Sequence, residues 1–258
     1  MKILFLTHYY PPEVNAPATR TFEHCVRWAR AGHDVTVVTC APNCPGGVVF
    51  EGYKNRLRWQ VEMVDGVRVV RVWTYVAKNS GTFRRIANYL SYMFSAILAC
   101  WRLPRPDVVI ATSPQFFCGW AGVLVSKLKR IPFVLEIRDI WPESIEAVGA
   151  MKNRRLIRFL EFLERRMYKA ADSIVAVGKG YRDNILQKVD VENQISVILE
   201  VHLVTKISEP RKLFVQRELL ARHCKKLKRA RSKFSSARSE PRTVYAGSKR
   251  GSTQAYKR

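Results

Sequence analysis

Apolar and polar positions fall in blocks along the chain, and the period of the pattern changes from block to block. Residues 2–7 (KILFLT) are an almost unbroken apolar run, the mark of a strand covered on both faces. The next segment, 8–15 (HYYPPEVN), holds two prolines that lack an amide donor and fix φ, so it reads as a loop. Over residues 16–31 Phe22, Cys25, Val26 and Ala29 recur at near-helical spacing, and Gly32 stands at the expected C-terminal cap. Residues 34–39 (DVTVVT) read as a second strand. A strand, helix and strand this close together imply a parallel pair with a right-handed crossover.

The alternation continues. Asp65–Gly66 marks a turn before a strand at 67–73. A long helix follows at 82–101, then a strand at 107–111, a helix at 115–129 and a strand at 132–137. A helix at 153–170, a strand at 172–177, a helix at 180–187 and a short strand at 194–198 complete the pattern. Strands and helices in this order predict an α/β fold, a Rossmann-like doubly wound parallel sheet, over residues 1–198.

Beyond residue 198 the periodicity fails, and stretches such as 225–233 (KKLKRARSK) are polar and unpatterned. Such a segment buries too little apolar surface to offset its conformational entropy, so 199–258 is expected to be a disordered basic tail. Charge sharpens the division. The whole chain carries 45 Lys and Arg against 21 Asp and Glu, a net +24, of which residues 201–258 supply +14.

The six cysteines, at 25, 40, 44, 100, 118 and 224, show no CxxC pair and read as reduced, mostly buried thiols. Cys40 and Cys44 have no second pair nearby, so no metal is expected. The N-terminus lacks the length and the small-residue cleavage site of a signal peptide. The longest apolar stretch, 89–101, falls short of the ~20 residues that span a bilayer. The expectation is a cytoplasmic protein, peripheral to the inner face of the cell membrane at most.

In an open parallel sheet ligands bind outside the carboxyl ends of the strands. Three polar loops lie there: 8–20, 112–120 (TSPQFFCGW) and 138–144 (RDIWPES). Each leads toward a helix N-terminus, where free amides favour an anion. Arg20, Arg138 and Lys179 are candidate contacts to a phosphate or diphosphate. Asp139, Glu13 and Glu143 suit a base or a hydroxyl anchor; equally, Asp139 and Glu143 suit helix capping and Glu13 a place in solvent. His8, at a strand end, is the one histidine placed to meet a ligand, though a structural role fits it as well. The absence of GxGxxG, P-loop, GxSxG and HExxH patterns argues against dinucleotide binding, nucleoside-triphosphate hydrolysis, serine hydrolase and zinc protease chemistry.

Five segments carry a more specific message: residues 1–25 (MKILFLTHYYPPEVNAPATRTFEHC), 32–53 (GHDVTVVTCAPNCPGGVVFEGY), 111–117 (ATSPQFF), 135–144 (LEIRDIWPES) and 163–181 (LERRMYKAADSIVAVGKGY). Together and in this order they resemble the N-terminal half of glycosyltransferase family 4, in the branch of WbuB-type enzymes of O-antigen and capsule assembly. The resemblance implies the N-terminal half of a GT-B fold, two Rossmann-like domains facing a cleft. It implies retaining transfer of a hexosyl group from a nucleotide-sugar donor to a saccharide or polyprenyl-diphosphate-sugar acceptor, with no cofactor and no essential metal. The N-terminal domain of such enzymes shapes the acceptor side. The matching positions are His8, Glu13, Asn15 and Arg20 in the first loop, Ser113 and Gln115 in the second, and Arg138, Asp139 and Glu143 in the third. Among these, Asp139 and Glu13 are the catalytic candidates and the others the substrate-binding ones.

Two departures stand out. Many members carry a histidine in the loop that here reads ATSPQFF, and this chain has none there. In the family a segment like QISVI continues into a second, donor-binding domain; here the sequence turns into LEVHLVTKISEPRK and the basic tail. The expectation is a truncated or frameshifted gene whose product is a half-enzyme, inactive alone or a non-catalytic remnant.

Helix 82–101 is apolar almost all round, with Arg84 and Arg85 at one end and Arg102 and Arg105 at the other. It reads either as an interfacial helix on anionic headgroups or as a helix packed on the sheet. The tail would bind any polyanion by counterion release. Phe234 and Tyr245 are too sparse for base stacking, so no specific nucleic-acid partner is expected.

Overall fold

Parallel strands buried on both faces need continuous apolar runs, and the chain supplies seven of them around a single sheet. A computed structural model describes residues 1–76, 82–113, 116–144 and 153–197. The chain divides into two units, Met1–Glu209 and Pro210–Arg258, and every described residue belongs to the first. The expected disordered tail lies outside the described residues.

The elements run β1 (Lys2–Leu6), α1 (Ala16–Arg30), β2 (Asp34–Cys40), β3 (Gln60–Val64), β4 (Val67–Val72), α2 (Thr82–Arg102) and β5 (Val108–Thr112). They continue α3 (Phe116–Lys129), β6 (Phe133–Ile137), α4 (Arg154–Ala170), β7 (Ser173–Ala176), α5 (Lys179–Lys188) and β8 (Ile195–Val197). The sheet has eight strands in the order β3-β4-β2-β1-β5-β6-β7-β8. Every pairing is parallel except β3 with β4, which is antiparallel.

The predicted doubly wound α/β sheet is therefore present, with one addition. The edge strand β3 was not foreseen. Asp65 and Gly66 both take positive φ, 48° and 81°, and close a two-residue hairpin between Val64 and Val67. That is the turn geometry whose twist matches antiparallel strands. The turn seen in the sequence thus joins two strands rather than opening one.

From β1 the chain first winds one way, through β2 and β4, and then the other way, through β5 to β8. With right-handed crossovers, α1 covers one face of the sheet, and α2, α3 and α4 lie side by side on the other. Helix α3 sits unusually close to the strands beneath it. A Cβ at Gly122 would run into the Phe133 ring and the Ala111 side chain, and one at Gly119 into Met167. Helix α2 packs one side on the sheet and leaves the other in solvent. Tyr92, Met93, Ala96, Ala99 and Cys100 are buried, while Phe94, Leu98 and Trp101 on the opposite side are exposed. Of the cysteines, Cys25, Cys40, Cys100 and Cys118 are buried free thiols and Cys44 is a half-buried one, as expected.

Candidate functional site

Strands β1 and β5 are neighbours, and the chain leaves them toward opposite edges of the sheet. The loops at their carboxyl ends therefore part and leave a crevice, the place where such sheets bind ligands. The first loop borders it on one side. The segments that follow β5 and β6 border it on the other.

Glu13 organises the first loop. Its side chain is buried, which removes the alternative that placed it in solvent. Its Oε1 accepts the amides of Asn43 and Cys44, each at 2.9 Å, and its Oε2 accepts that of Tyr10 at 3.3 Å. Burial raises its pKa; the three amides and nearby Arg71 pull it back down without cancelling the rise. The carboxylate so occupied ties the loop after β1 to the loop after β2. Asn15 is the N-cap of α1, its Oδ1 accepting the Ala18 amide at 2.9 Å. Arg20 follows, half-buried in the second turn of that helix.

Arg71 is the residue that sequence reasoning missed here. It is buried in β4, with Nε donating to Glu62 Oε1 at 2.7 Å, Nη1 to the Cys40 carbonyl at 3.2 Å and Nη2 to the Pro11 carbonyl at 2.5 Å. Its guanidinium also lies 4.6 Å from the centroid of the Tyr53 ring. One side chain thus joins β4, the end of β2 and the first loop. The signal was the second of two arginines in an apolar strand, VRVVRV, where Arg68 is exposed and Arg71 is buried.

His8 is buried and ringed edge-on by Tyr9, Tyr89 and Tyr92, with centroids 5.0–5.3 Å away. Burial lowers its pKa to about 4, although neighbouring Asn88 works in the opposite direction. No hydrogen bond closes between the two: His8 Nδ1 and Asn88 Oδ1 are both buried without partners. They line a small recess with Tyr9, Asn43, Cys44, Arg85 and Tyr89, of about 30 Å³. That volume holds a single water-sized group. Beside it, Pro12, Val48, Val49, Phe50, Glu51 and Tyr53 line an open depression of about 670 Å³.

Across the crevice Ser113 is the hinge of a second cluster. Its Oγ accepts the Arg138 amide at 3.0 Å and the Asp139 amide at 3.4 Å, which locks the end of β5 to the turn after β6. Arg138 does not point outward as a phosphate contact. Its side chain is buried and its Nη2 donates to Glu136 Oε1 at 2.6 Å. Burial would raise the Glu136 pKa, but Arg138 and His24 together bring it below the ordinary value. Asp139 is half-buried, and its Oδ2 accepts the Ser144 hydroxyl at 3.2 Å. Glu143 is exposed and engaged by α5, through Lys188 Nζ at 2.8 Å and Asn184 Nδ2 at 3.0 Å.

The remaining expected positions divide. Gln115 lies outside the described residues. Lys179 is exposed at the start of α5. Arg84, Arg102 and Arg105 are exposed; Arg102 stacks over Trp59 at 5.7 Å, and Arg105 donates to the Arg130 carbonyl at 2.8 Å. Arg85 is exposed too, but it lines the His8 recess and so belongs with the crevice as well as with α2. No three His, Cys, Asp or Glu side chains among the described residues gather as metal ligands do.

The parallel sheet, its crossovers and its crevice define the Rossmann-like α/β unit of GT-B glycosyltransferases. A sucrose-phosphate synthase structure from Thermosynechococcus elongatus shares the fold, with a TM-score of 0.52 and 11% identity over 87% of this chain and 99% of that one. The glycosyl transferase 4-like domain matches residues 15–199, and the chain belongs to that family. Over 203 residues it is 29% identical to WcaI of Escherichia coli (strain K12), named as a colanic acid biosynthesis glycosyl transferase; the match covers 76% of this chain and 49% of WcaI. Alpha-maltose-1-phosphate synthase of Mycolicibacterium smegmatis is 28% identical over 190 residues, 72% of this chain and 40% of that protein. The chain spans at most about half the length of these curated relatives.

Proposed function

We propose that the described unit is the acceptor-side half of a retaining, metal-independent hexosyltransferase of surface polysaccharide synthesis. The donor in this reading is a nucleotide sugar, and the acceptor is a saccharide carried on a polyprenyl diphosphate. The observation that carries it is the pairing of the β1–β5 crevice with a family match over residues 15–199, which takes in β5 and the segments after β5 and β6.

Within that reading the residues take distinct parts. Asp139, held at the crevice by Ser113, is the group that meets the acceptor hydroxyl. Glu13 is a positioning residue, because its oxygens already serve three backbone amides. His8 stays neutral at pH 7, since burial lowers its pKa to about 4, and it offers a ring nitrogen to a hydroxyl rather than a charge to a phosphate. Arg85, at the mouth of the same recess, supplies the positive charge that Arg138 spends on Glu136. The described unit forms one wall of the cleft, and by itself it binds acceptor without turnover.

Calorimetric titration tests the division of labour. Polyprenyl-diphosphate sugars should bind saturably and lose roughly tenfold in affinity in Asp139→Ala, about 1.4 kcal/mol. UDP-sugars should bind weakly. Tight UDP-sugar binding with no response to acceptor overturns the proposal.

A further inference from the structure

Fourteen large apolar side chains are exposed among the described residues, and eight of them lie on α2, α3 and α4, the three helices that share one face of the sheet. On α2 they are Phe94, Leu98 and Trp101, with 64%, 45% and 62% of their surface in solvent. At 100° per residue these three fall within one narrow stripe, opposite the buried Tyr92, Ala96 and Ala99. On α3 Leu124 and Leu128 are exposed and continue the half-buried Phe117 and Trp120 along one stripe. On α4 the exposed residues are Leu156, Phe159 and Phe162.

The flank of α4 that carries them is set by its packing. Glu164 and Tyr168 mark the side toward α5, where Lys188 Nζ meets Glu164 at 3.0 Å. Met167, against Gly119, marks the side toward α3. Leu156, Phe159 and half-buried Leu163 lie round the helix from Met167, away from Glu164 and Tyr168, and so border α3. The three stripes are therefore neighbours and form one apolar belt.

The charges beside the belt are basic, since the two glutamates of α4, Glu161 and Glu164, lie on its other flank with Tyr168. Helices α2 and α3 contain no acidic residue, but they carry Arg84, Arg85, Arg102, Lys127 and Lys129. Arg84 and Arg102 stand five turns apart on the same azimuth, beside the Phe94–Trp101 stripe. Helix α4 adds Arg155 and Arg166, the latter 5.0 Å from the centroid of the Phe162 ring. A second copy of this face would oppose like charges, so a homotypic contact is disfavoured. An apolar strip framed by arginine and lysine instead complements an anionic lipid surface, with the rings at the acyl boundary and the cations among the phosphates. No helix among the described residues is long and apolar enough to cross a membrane, so the contact is one of docking on the surface.

We propose that the α2–α3–α4 face docks on anionic bilayers, with Trp101, Leu128 and Phe159 entering the headgroup–acyl boundary. This extends the contact beyond the arginines at the ends of α2 to a face built from three helices. It stands apart from the transfer reaction, because the vesicles of the test carry no saccharide.

The basic C-terminal segment can hold the protein on anionic vesicles electrostatically, so the test reads insertion as well as binding. The full chain is mixed with phosphatidylglycerol–phosphatidylcholine vesicles whose acyl chains are brominated, and tryptophan emission is recorded at high and low salt. Quenching is expected on these vesicles and not on pure phosphatidylcholine. Trp101→Phe should remove at least about half of the quench, and Leu128→Glu with Phe159→Glu nearly all of it, with circular dichroism unchanged. Unchanged quenching in the double variant would overturn the proposal. So would flotation without quenching in the wild type, which assigns all binding to the tail. So would a wild-type dimer in sedimentation velocity that the double variant dissociates, which assigns the face to a second copy.

Discussion

Glu13 Oε1 accepts the backbone amide of Asn43 at 2.9 Å across 30 residues of sequence, and this one contact fixes the loop after β1 against the loop after β2. The same oxygen takes the Cys44 amide, and Oε2 takes that of Tyr10. Glu13→Ala leaves buried donors unmet and should cost about 3 kcal/mol of stability, whereas Glu13→Gln, which can keep Oε1, should cost about half as much. Urea unfolding of the two variants gives the comparison; equal losses would mean that the amides matter less than the packing.

His8 makes stability sensitive to acid. Its folded pKa of about 4 lies below the unfolded value of 6.5, so its contribution is complete above pH 6.5 and disappears as the pH falls through 4. The full effect is roughly 3 kcal/mol. Unfolding free energies measured from pH 7 to pH 4 should fall more steeply for the wild type than for His8→Asn. Parallel curves would show that His8 does not titrate between folded and unfolded states in this range.

Ser113 controls the turn that carries Asp139. Removing its hydroxyl in Ser113→Ala strips the Arg138 amide of an acceptor at 3.0 Å. Stability should drop by about 1 kcal/mol, and acceptor affinity should drop about tenfold as Asp139 loses its fixed position. Ser113→Thr retains the hydroxyl and should recover both. If stability falls and affinity does not, the turn is structural only.

Gly122 tests the close seat of α3. An added methyl meets the Phe133 ring and Ala111, so Gly122→Ala should destabilise by about 2 kcal/mol through overpacking despite its better helix propensity. A thermal melt of the variant several degrees below the wild type is the expected result. A higher melting temperature would mean that α3 moves outward at no cost.

Much of this architecture is visible in the residues themselves. The strand runs at 2–6 and 108–112 are apolar almost throughout because both of their faces are covered. Gly32 takes φ +83° at the end of α1, as its position after the apolar periodicity required. The Asp65–Gly66 pair was a hairpin signal with a strand on each side, and only the antiparallel partner 60–64 escaped notice. Its pattern runs against the usual one, with Val61 and Met63 exposed and Gln60 and Glu62 on the half-buried side, where Glu62 meets Arg71.

The functional residues were less legible. Arg138 looked like a cation for phosphate and is instead held by Glu136; Glu13 looked like a catalytic carboxylate or a solvated one and is instead buried on three amides; Arg85 looked like a helix flank and also lines the His8 recess. Each of these depends on a partner far away in sequence. Local pattern fixes which segments are strand or helix, because backbone hydrogen bonding and the burial of one face repeat over a few residues. Which charges are spent inside the fold and which remain for a ligand or a surface is decided only when Glu13 meets Asn43, Arg71 reaches Pro11, and three helices line up their exposed rings. Those contacts follow from how the strands are ordered in the sheet, and strand order is a property of the whole chain.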